Sequence, residues 1–283
     1  MAALRPFFTL AERSVFFSRH MSSKKTINIF SRLRARTLRG IFGICEACMK
    51  LPISNRLLCC ASMLTPGCRV ADIGTDHGYL AIHLLQSGVA SSVVAADLRE
   101  QPLAKARRNA RRYGVTDRLR FVLSDGLSKI EPGEADTVIC AGMGGDCIIH
   151  ILDSAAWLRD ARYTLVLQPQ SAGQALRKYL TDSGFAIEKE TLAKDGGFYY
   201  TVLRARFGKA APLTPGQQYV SPQLLASGSE LLPAYLARIE AALRTTVEGL
   251  QSSQKAAPER VAYYTQALQE VEGMRHDYGT RGV

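Results

Sequence analysis

No stretch of this sequence reaches the roughly 18 consecutive apolar residues that a membrane-crossing helix needs, so nothing is expected to span a bilayer. A disulfide framework is also lacking. Seven cysteines (45, 48, 59, 60, 68, 140 and 147) are an odd number at no regular spacing, which suggests reduced thiols in a cytosolic or organellar-matrix compartment. Cys45 and Cys48 form a CxxC without a second one. Cys59 and Cys60, neighbours on an expected helix, are poorly placed to aim at one ion, so no zinc or other metal site is expected. Nor is apolar content short: 47% hydrophobic and 22% charged residues exclude a disordered chain, a collagen and a disulfide miniprotein. The 283 residues leave room for one large domain, or a domain with an appendage.

Acidic residues are scarce at the N-terminus. Lys and Arg exceed Asp and Glu by 11 over the chain, yet residues 1–50 hold ten basic and two acidic residues, leaving +3 for 51–283. This Arg-, Ser- and Phe-rich leader has the composition of a mitochondrial transit peptide. Its alternatives are a disordered basic tail touching RNA, or translated sequence upstream of the native start, with Met21 and Met49 as internal starts. A dispensable or non-native leader is the preferred expectation.

From residue 51 onward, helical stretches alternate with short β-branched runs. Helices are expected over 51–63, 78–87, 101–113, 146–154 and 173–184, and strands over 69–73, 92–97, 119–123, 136–141 and 164–168. That alternation argues for an α/β fold, a parallel sheet with helices on both faces. Residues 185–192 and 198–207 break the pattern: two extended runs around Lys194-Asp195-Gly196-Gly197 predict a terminal antiparallel hairpin. Dinucleotide-binding sheets usually keep their sixth strand parallel, whereas methyltransferase sheets end in this way. The domain is expected to cover 51–208. Residues 209–283 read as a Pro- and Gly-punctuated linker and two helices, with seams at Leu236, Ile239, Leu243 and Leu250 and at Val261, Tyr264, Leu268 and Val271. An antiparallel coiled-coil hairpin and an ordinary helix pair packed on the main domain fit these seams equally well.

The chemistry concentrates at strand ends. In Asp72-Ile73-Gly74-Thr75-Asp76-His77-Gly78, a strand finishes in a carboxylate, two glycines make a tight turn and a helix begins. A diphosphate-binding turn would carry glycine at the Asp72 position, since a carboxylate repels phosphate. An acid there suits a cationic ligand such as an ammonium or a sulfonium. Asp97 ends the second strand, where a carboxylate can hold ribose hydroxyls. Asp125-Gly126 ends the third, where an adenine edge can be received, and Ala141-Gly142-Met143-Gly144-Gly145 ends the fourth, at the crevice of such sheets. Each alone is equally well a capping Asp or a turn Gly; their joint order favours a nucleoside site.

The DIGTDHGYL and AGMGG segments, Leu167-Gln168-Pro169 and the helical tail together resemble the bacterial tRNA (adenine-22-N1)-methyltransferases over roughly residues 51–275. Two positions depart from the family pattern, Ala81 in place of a frequent Pro and Gln170 in place of a frequent Asn. The resemblance implies a Rossmann-like class I methyltransferase sheet with a C-terminal helical hairpin, S-adenosylmethionine as methyl donor, and N1 of adenosine 22 in the D-arm of tRNA as target, in a cytoplasmic enzyme. The implied donor site comprises Asp72, Gly74, Thr75, Gly78, Asp97, Leu98, Asp125, Gly126, Ala141, Gly142, Met143 and Gly144. Family members begin just before a segment like 51–57, which makes Met49 the favoured start.

Adenine N1 has an in-plane lone pair and no proton at neutral pH, so its methylation needs no strong base but leaves a cationic ring. Asp76, beside the turn, is the expected catalytic residue that stabilises this charge; N-capping the next helix is its alternative role. His77 is expected to pack or face solvent, with contact to RNA or donor as its alternative, and Tyr79 to pack against the turn, with base stacking as its alternative. The sequence also lacks the Asn/Asp-Pro-Pro-aromatic motif of many amino-group methyltransferases, which argues mildly against N6 as target. Residues 99–120 carry eight Arg and Lys against two acids, and Arg107, Arg108, Arg111 and Arg112 on the helix are candidate phosphate contacts, a solvated face being the alternative. Rival readings are a methyltransferase of the same fold acting on another RNA, a small molecule or a protein, and a non-catalytic binder of the donor. Whether the chain is a monomer or a dimer through its tail stays open.

Overall fold

The computed structural model describes residues 51–280, which form one compact unit; the expected leader, with Cys45 and Cys48, lies outside the described residues. In chain order the main elements are α1 (Asn55–Ser62), β1 (Cys68–Ile73), α2 (Tyr79–Gln86), β2 (Ala90–Asp97), α3 (Glu100–Arg112), β3 (Leu119–Leu123), β4 (Thr137–Gly144), α4 (Gly145–Asp153), β5 (Thr164–Ser171), α5 (Gly173–Asp182), β6 (Phe185–Asp195) and β7 (Phe198–Phe207). The tail adds α6 (Pro215–Tyr219), α7 (Pro222–Leu225), α8 (Leu232–Gln251) and α9 (Pro258–Thr280).

The strands form one seven-stranded sheet in the order β3-β2-β1-β4-β5-β7-β6. β1 to β5 are parallel, and β7 runs antiparallel to both β5 and β6. This is the methyltransferase ending of the doubly wound sheet expected from the sequence. Strand side chains alternate between two apolar layers, as the two-residue period requires. Ala71, Val138, Leu165 and Leu203 pack under α4 and α5, while Val70, Ile139, Val166 and Val202 pack under α1 and α2.

Several boundaries move from their expected places, and the larger shifts have local reasons. α1 begins at Asn55 rather than at 51, behind an extended Ser54. β4 continues through the glycine-rich run to Gly144 because β5 also runs on to Ser171, with Met143 opposite Pro169 and Gly144 opposite Ser171 in shifted register. The last hairpin closes on two residues, Gly196 and Gly197, because Lys194 and Asp195 still pair with Tyr199 and Phe198.

A third apolar cluster joins Leu192 of β6 to Val220, Leu224, Leu236, Leu243, Leu268 and Val271 of the tail, so α8 and α9 pack on each other and share a core with the sheet edge. Beneath it lies a buried ion pair. Arg177 on α5 is 1% exposed and Glu190 on β6 is fully buried. Arg177 Nε donates to both Glu190 oxygens at 3.0 and 3.1 Å, Nη1 donates to the Gln218 carbonyl at 3.0 Å, and the Ser221 hydroxyl donates to the same carboxylate. Such a pair need not add net stability over an apolar one, but removing half of it strands a charge. Glu190→Ala is expected to lower unfolding free energy by about 3–5 kcal/mol, read as a fall in urea midpoint. An Arg177→Met/Glu190→Leu double variant should recover most of the loss.

Candidate active site

β1 delivers Asp72 to the sheet's C-terminal edge. The two-residue alternation puts it on the side covered by α1 and α2. The chain then turns sharply. Gly74 and Thr75 both donate their N–H groups to the Ala96 carbonyl, at 2.8 and 3.0 Å, which fastens the turn to the end of β2. Gly74 has φ +77°, and a Cβ there would come 2.5 Å from Met143 Cε; Gly78 has φ +70°, and a Cβ would come 3.0 Å from Ala106 Cβ on α3. Any side chain at either place would be strained by the left-handed backbone, and at Gly78 it would also press on α3.

Around this turn lies a cleft of about 400 Å³. Of the residues singled out in the sequence, Asp72, Gly74, Thr75, Asp76, Gly78, Ala141 and Gly142 line it. Asp97, Leu98, Asp125, Gly126, Met143 and Gly144 do not. They occupy neighbouring strand ends: Asp97 Oδ1 accepts the Arg99 N–H at 2.8 Å, and the Asp97 carbonyl accepts the Ser124 N–H at 3.0 Å, which sets the end of β3 beside that of β2. Leu98 is 64% exposed, an apolar side chain left in water next to Asp97. Asp125 is exposed, and Gly126 lies against Ile151. Met143 walls the turn over Gly74, and Gly144 opens α4.

Asp72 is 5% exposed and forms no ion pair among the described residues. Its Oδ2 accepts the Thr75 hydroxyl at 2.7 Å. Burial, opposed by that hydrogen bond and reinforced by the charge of Asp97, pushes its pKa up to about 6. A bound cation would relieve both the desolvation and the repulsion.

Asp76 does not cap α2; the N-cap is Gly78, and no side chain accepts from that helix end. Its side chain is 68% exposed, and one oxygen lies 2.8 Å from His77 Nδ1. The His77 ring stacks on Tyr79 with centroids 5.5 Å apart and planes within 5°, and Asn109 Nδ2 donates to the His77 carbonyl at 2.9 Å. The expectation that His77 and Tyr79 pack is met in part, since both also line the cleft. Among the basic residues of α3, Arg108, Arg111 and Arg112 are exposed. Arg107 is paired with Glu100 and lies 5.6 Å over the Phe121 ring. Asn109 ties α3 to the loop that carries Asp76 and His77.

The sequence reading missed Arg56. It lines the cleft from α1 together with Pro52, Ser54 and Leu57. Its Nη1 donates to Gln168 Oε1 at 2.8 Å and lies where a Cβ on Gly142 would come within 3.0 Å, and its Nε is 3.9 Å from Asp195. The signal was available in the family-like segment 51–57, but nothing in its spacing brings Arg56 to a sheet edge more than a hundred residues away. Gln170, noted only as a departure from the family pattern, also lines the cleft.

The raised pKa of Asp72 has a measurable sign. Its unfolded value lies near 3.8 and its folded value near 6, so the folded state binds the extra proton between them. Stability from this group therefore falls as pH rises through that window, by on the order of 3 kcal/mol in total. Asp72→Asn is expected to unfold at higher urea than the native chain at pH 7.5, with the gap shrinking toward pH 5. A gap independent of pH would refute the buried-charge account.

A family model described as a methyltransferase domain matches residues 53–203, more than half of the chain. The tRNA (adenine(22)-N(1))-methyltransferase of Bacillus subtilis is 33% identical over 159 residues, 56% of this chain and 67% of that protein. Among solved structures, the B. subtilis m1A22 tRNA methyltransferase TrmK superposes with a TM-score of 0.67 at 25% identity, covering 82% of this chain and 99% of that one. Streptococcus pneumoniae Sp1610, solved in complex with S-adenosyl-L-methionine, superposes with a TM-score of 0.66 at 28% identity, covering 79% of this chain and 100% of that one. With a sheet ending in an antiparallel hairpin, an acid-lined turn after β1 and these relatives, the chain belongs to the tRNA (adenine(22)-N(1))-methyltransferase family.

Proposed function

We propose that this protein transfers a methyl group from S-adenosylmethionine to N1 of adenosine 22 in the D-arm of tRNA. The observation that carries the reading is the unpaired, buried carboxylate of Asp72 in the cleft beside the turn, in a chain of this family. The residues present fit the donor. Asp72 offers a desolvated negative charge for the ammonium group of its amino acid end, the glycine turn lets backbone approach it, Asp97 suits ribose hydroxyls, and the exposed Leu98 offers an apolar surface for a base. Asp125, Gly126, Ala141, Gly142, Met143 and Gly144 are proposed to complete that site.

When bound, S-adenosylmethionine supplies an electrophilic methyl on a positively charged sulfur. The protein's own task is to position and to stabilise. Asp76, exposed at the cleft and oriented by His77, is proposed to face the target adenine and to stabilise the positive charge that the ring gains on methylation. No side chain has to remove a proton before attack, because N1 carries none at neutral pH. N1 lies on the Watson–Crick edge, so the adenosine must leave any pairing to enter the cleft. Arg107, Arg108, Arg111 and Arg112 are proposed to hold phosphates near the cleft loop. The methyltransferase domain is proposed to end at residue 208, just past the last strand at Phe207. No helix among the described residues is long and apolar enough to cross a membrane. The described cysteines are free thiols, which supports a reducing location such as the cytoplasm.

Incubating unmodified tRNA with the protein and donor, followed by base-resolved mass spectrometry, should find one methyl on N1 of adenosine 22; a methyl elsewhere, or none, refutes the reading. Asp76→Ala should lower turnover by about a hundredfold or more while calorimetry finds donor affinity within about twofold. Donor affinity of the native chain should weaken as pH falls through about 6, where Asp72 takes up its proton.

A further inference from the structure

The tip of the β6–β7 hairpin lies at the same edge of the sheet as the cleft, because β6 runs in the sense of β1 to β5 and ends there at Asp195. Two contacts tie it to the cleft wall: Asn55 Nδ2 donates to the Lys194 carbonyl at 3.2 Å, and Asp195 lies 3.9 Å from Arg56, itself a cleft-lining residue. The hairpin's two faces are used differently. Lys194 pairs across the strands with Tyr199, over whose ring its Nζ sits at 5.6 Å, and Tyr199 packs toward the tail. Asp195 pairs with Phe198, so Phe198 shares the face that Asp195 turns to Arg56. Phe198 is 58% exposed, and nothing stands within 4 Å of where side chains on Gly196 and Gly197 would begin. A bare phenyl ring is thus held on a short, fixed hairpin at the rim of the cleft.

The cleft itself is poor in stacking surface. Among the described residues that line it, Tyr79 is the one Phe, Tyr or Trp, and its ring is already stacked on His77. The end of β4 supplies only Ala141 and Gly142 to the cleft. A substrate whose base must leave its stack needs an apolar surface for what it leaves behind, and aromatic rings beside cationic side chains are what single-stranded nucleic acid favours.

We propose that Phe198 is an RNA-docking residue that stacks on a D-arm base next to the extruded adenosine, with Arg56 on the same side at the cleft wall. This deepens the proposed function and rests on it for the identity of the RNA. The test is equilibrium binding of an unmodified tRNA transcript containing adenosine 22, alongside steady-state methylation. Phe198→Ala should weaken tRNA binding and raise KM for tRNA by about tenfold, the scale of one lost base–aromatic stack, with donor affinity unchanged. Phe198→Trp should restore native binding and Phe198→Leu should not. Native tRNA affinity in the Ala or Leu variant overturns the proposal, as does a sedimentation result in which Phe198→Ala abolishes self-association but leaves tRNA binding intact. A native chain that binds tRNA without methylating N1 refutes the proposed reaction only, since the dependence of binding on Phe198 still decides this inference. A native chain that does not bind tRNA overturns both.

Discussion

At the end of β1 a carboxylate is held almost out of water with one hydroxyl as its hydrogen-bonding partner and a second acid close enough to raise its pKa. Folding tolerates this only because the surroundings leave Asp72 little choice. Its strand is locked between β2 and β4, the turn after it is fastened to Ala96, and the left-handed glycines allow no other path. The strain is electrostatic and concentrated at one point, as expected where a site is shaped for a charge that arrives with its ligand. The neighbouring groups take their places from the same constraint: Asp97 is placed by the register of β2, and Asp76 and His77 by the length of the turn.

The rest of the molecule keeps that edge rigid. α1 lies across the strand ends through Arg56, which reaches Gln168 on β5 and Asp195 on the hairpin and so connects three elements distant in sequence. On the far side, the Arg177–Glu190 pair binds α5 and β6 to the start of the tail. Neither connection takes part in the proposed chemistry, yet each fixes an element that lines or rims the cleft.

Much of this was legible in the sequence because parallel strands advertise themselves twice, by apolar runs and by the turn residues at their C-terminal ends. The parallel sheet with its terminal hairpin was within reach because strands and helices alternate five times before two extended runs meet at a Gly-Gly turn, and Asp72, Gly74, Asp76 and Gly142 were within reach because each sits where a strand hands over to a turn. What stayed hidden depends on distance along the chain. Arg56 reads as an ordinary cation on a short helix until Gln168 and Gly142 come beneath it. Glu190 reads as an exposed alternation in a strand until Arg177 is found facing it. The extension of β4 through Met143 was obscured because glycines mark a turn in isolation, whereas here the neighbouring strand supplies partners for them.

The involvement of Gln218 and Ser221 in the buried pair has a consequence for how the tail can change. Both belong to the segment that leads into α8 and α9, and both donate or accept inside the ion pair rather than on a surface. A chain shortened before residue 215 would therefore not merely lose an arm; it would open a wet hole beside a guanidinium and a carboxylate that need dry partners. The root of the two long helices is bound into the catalytic body as a keystone is bound into an arch.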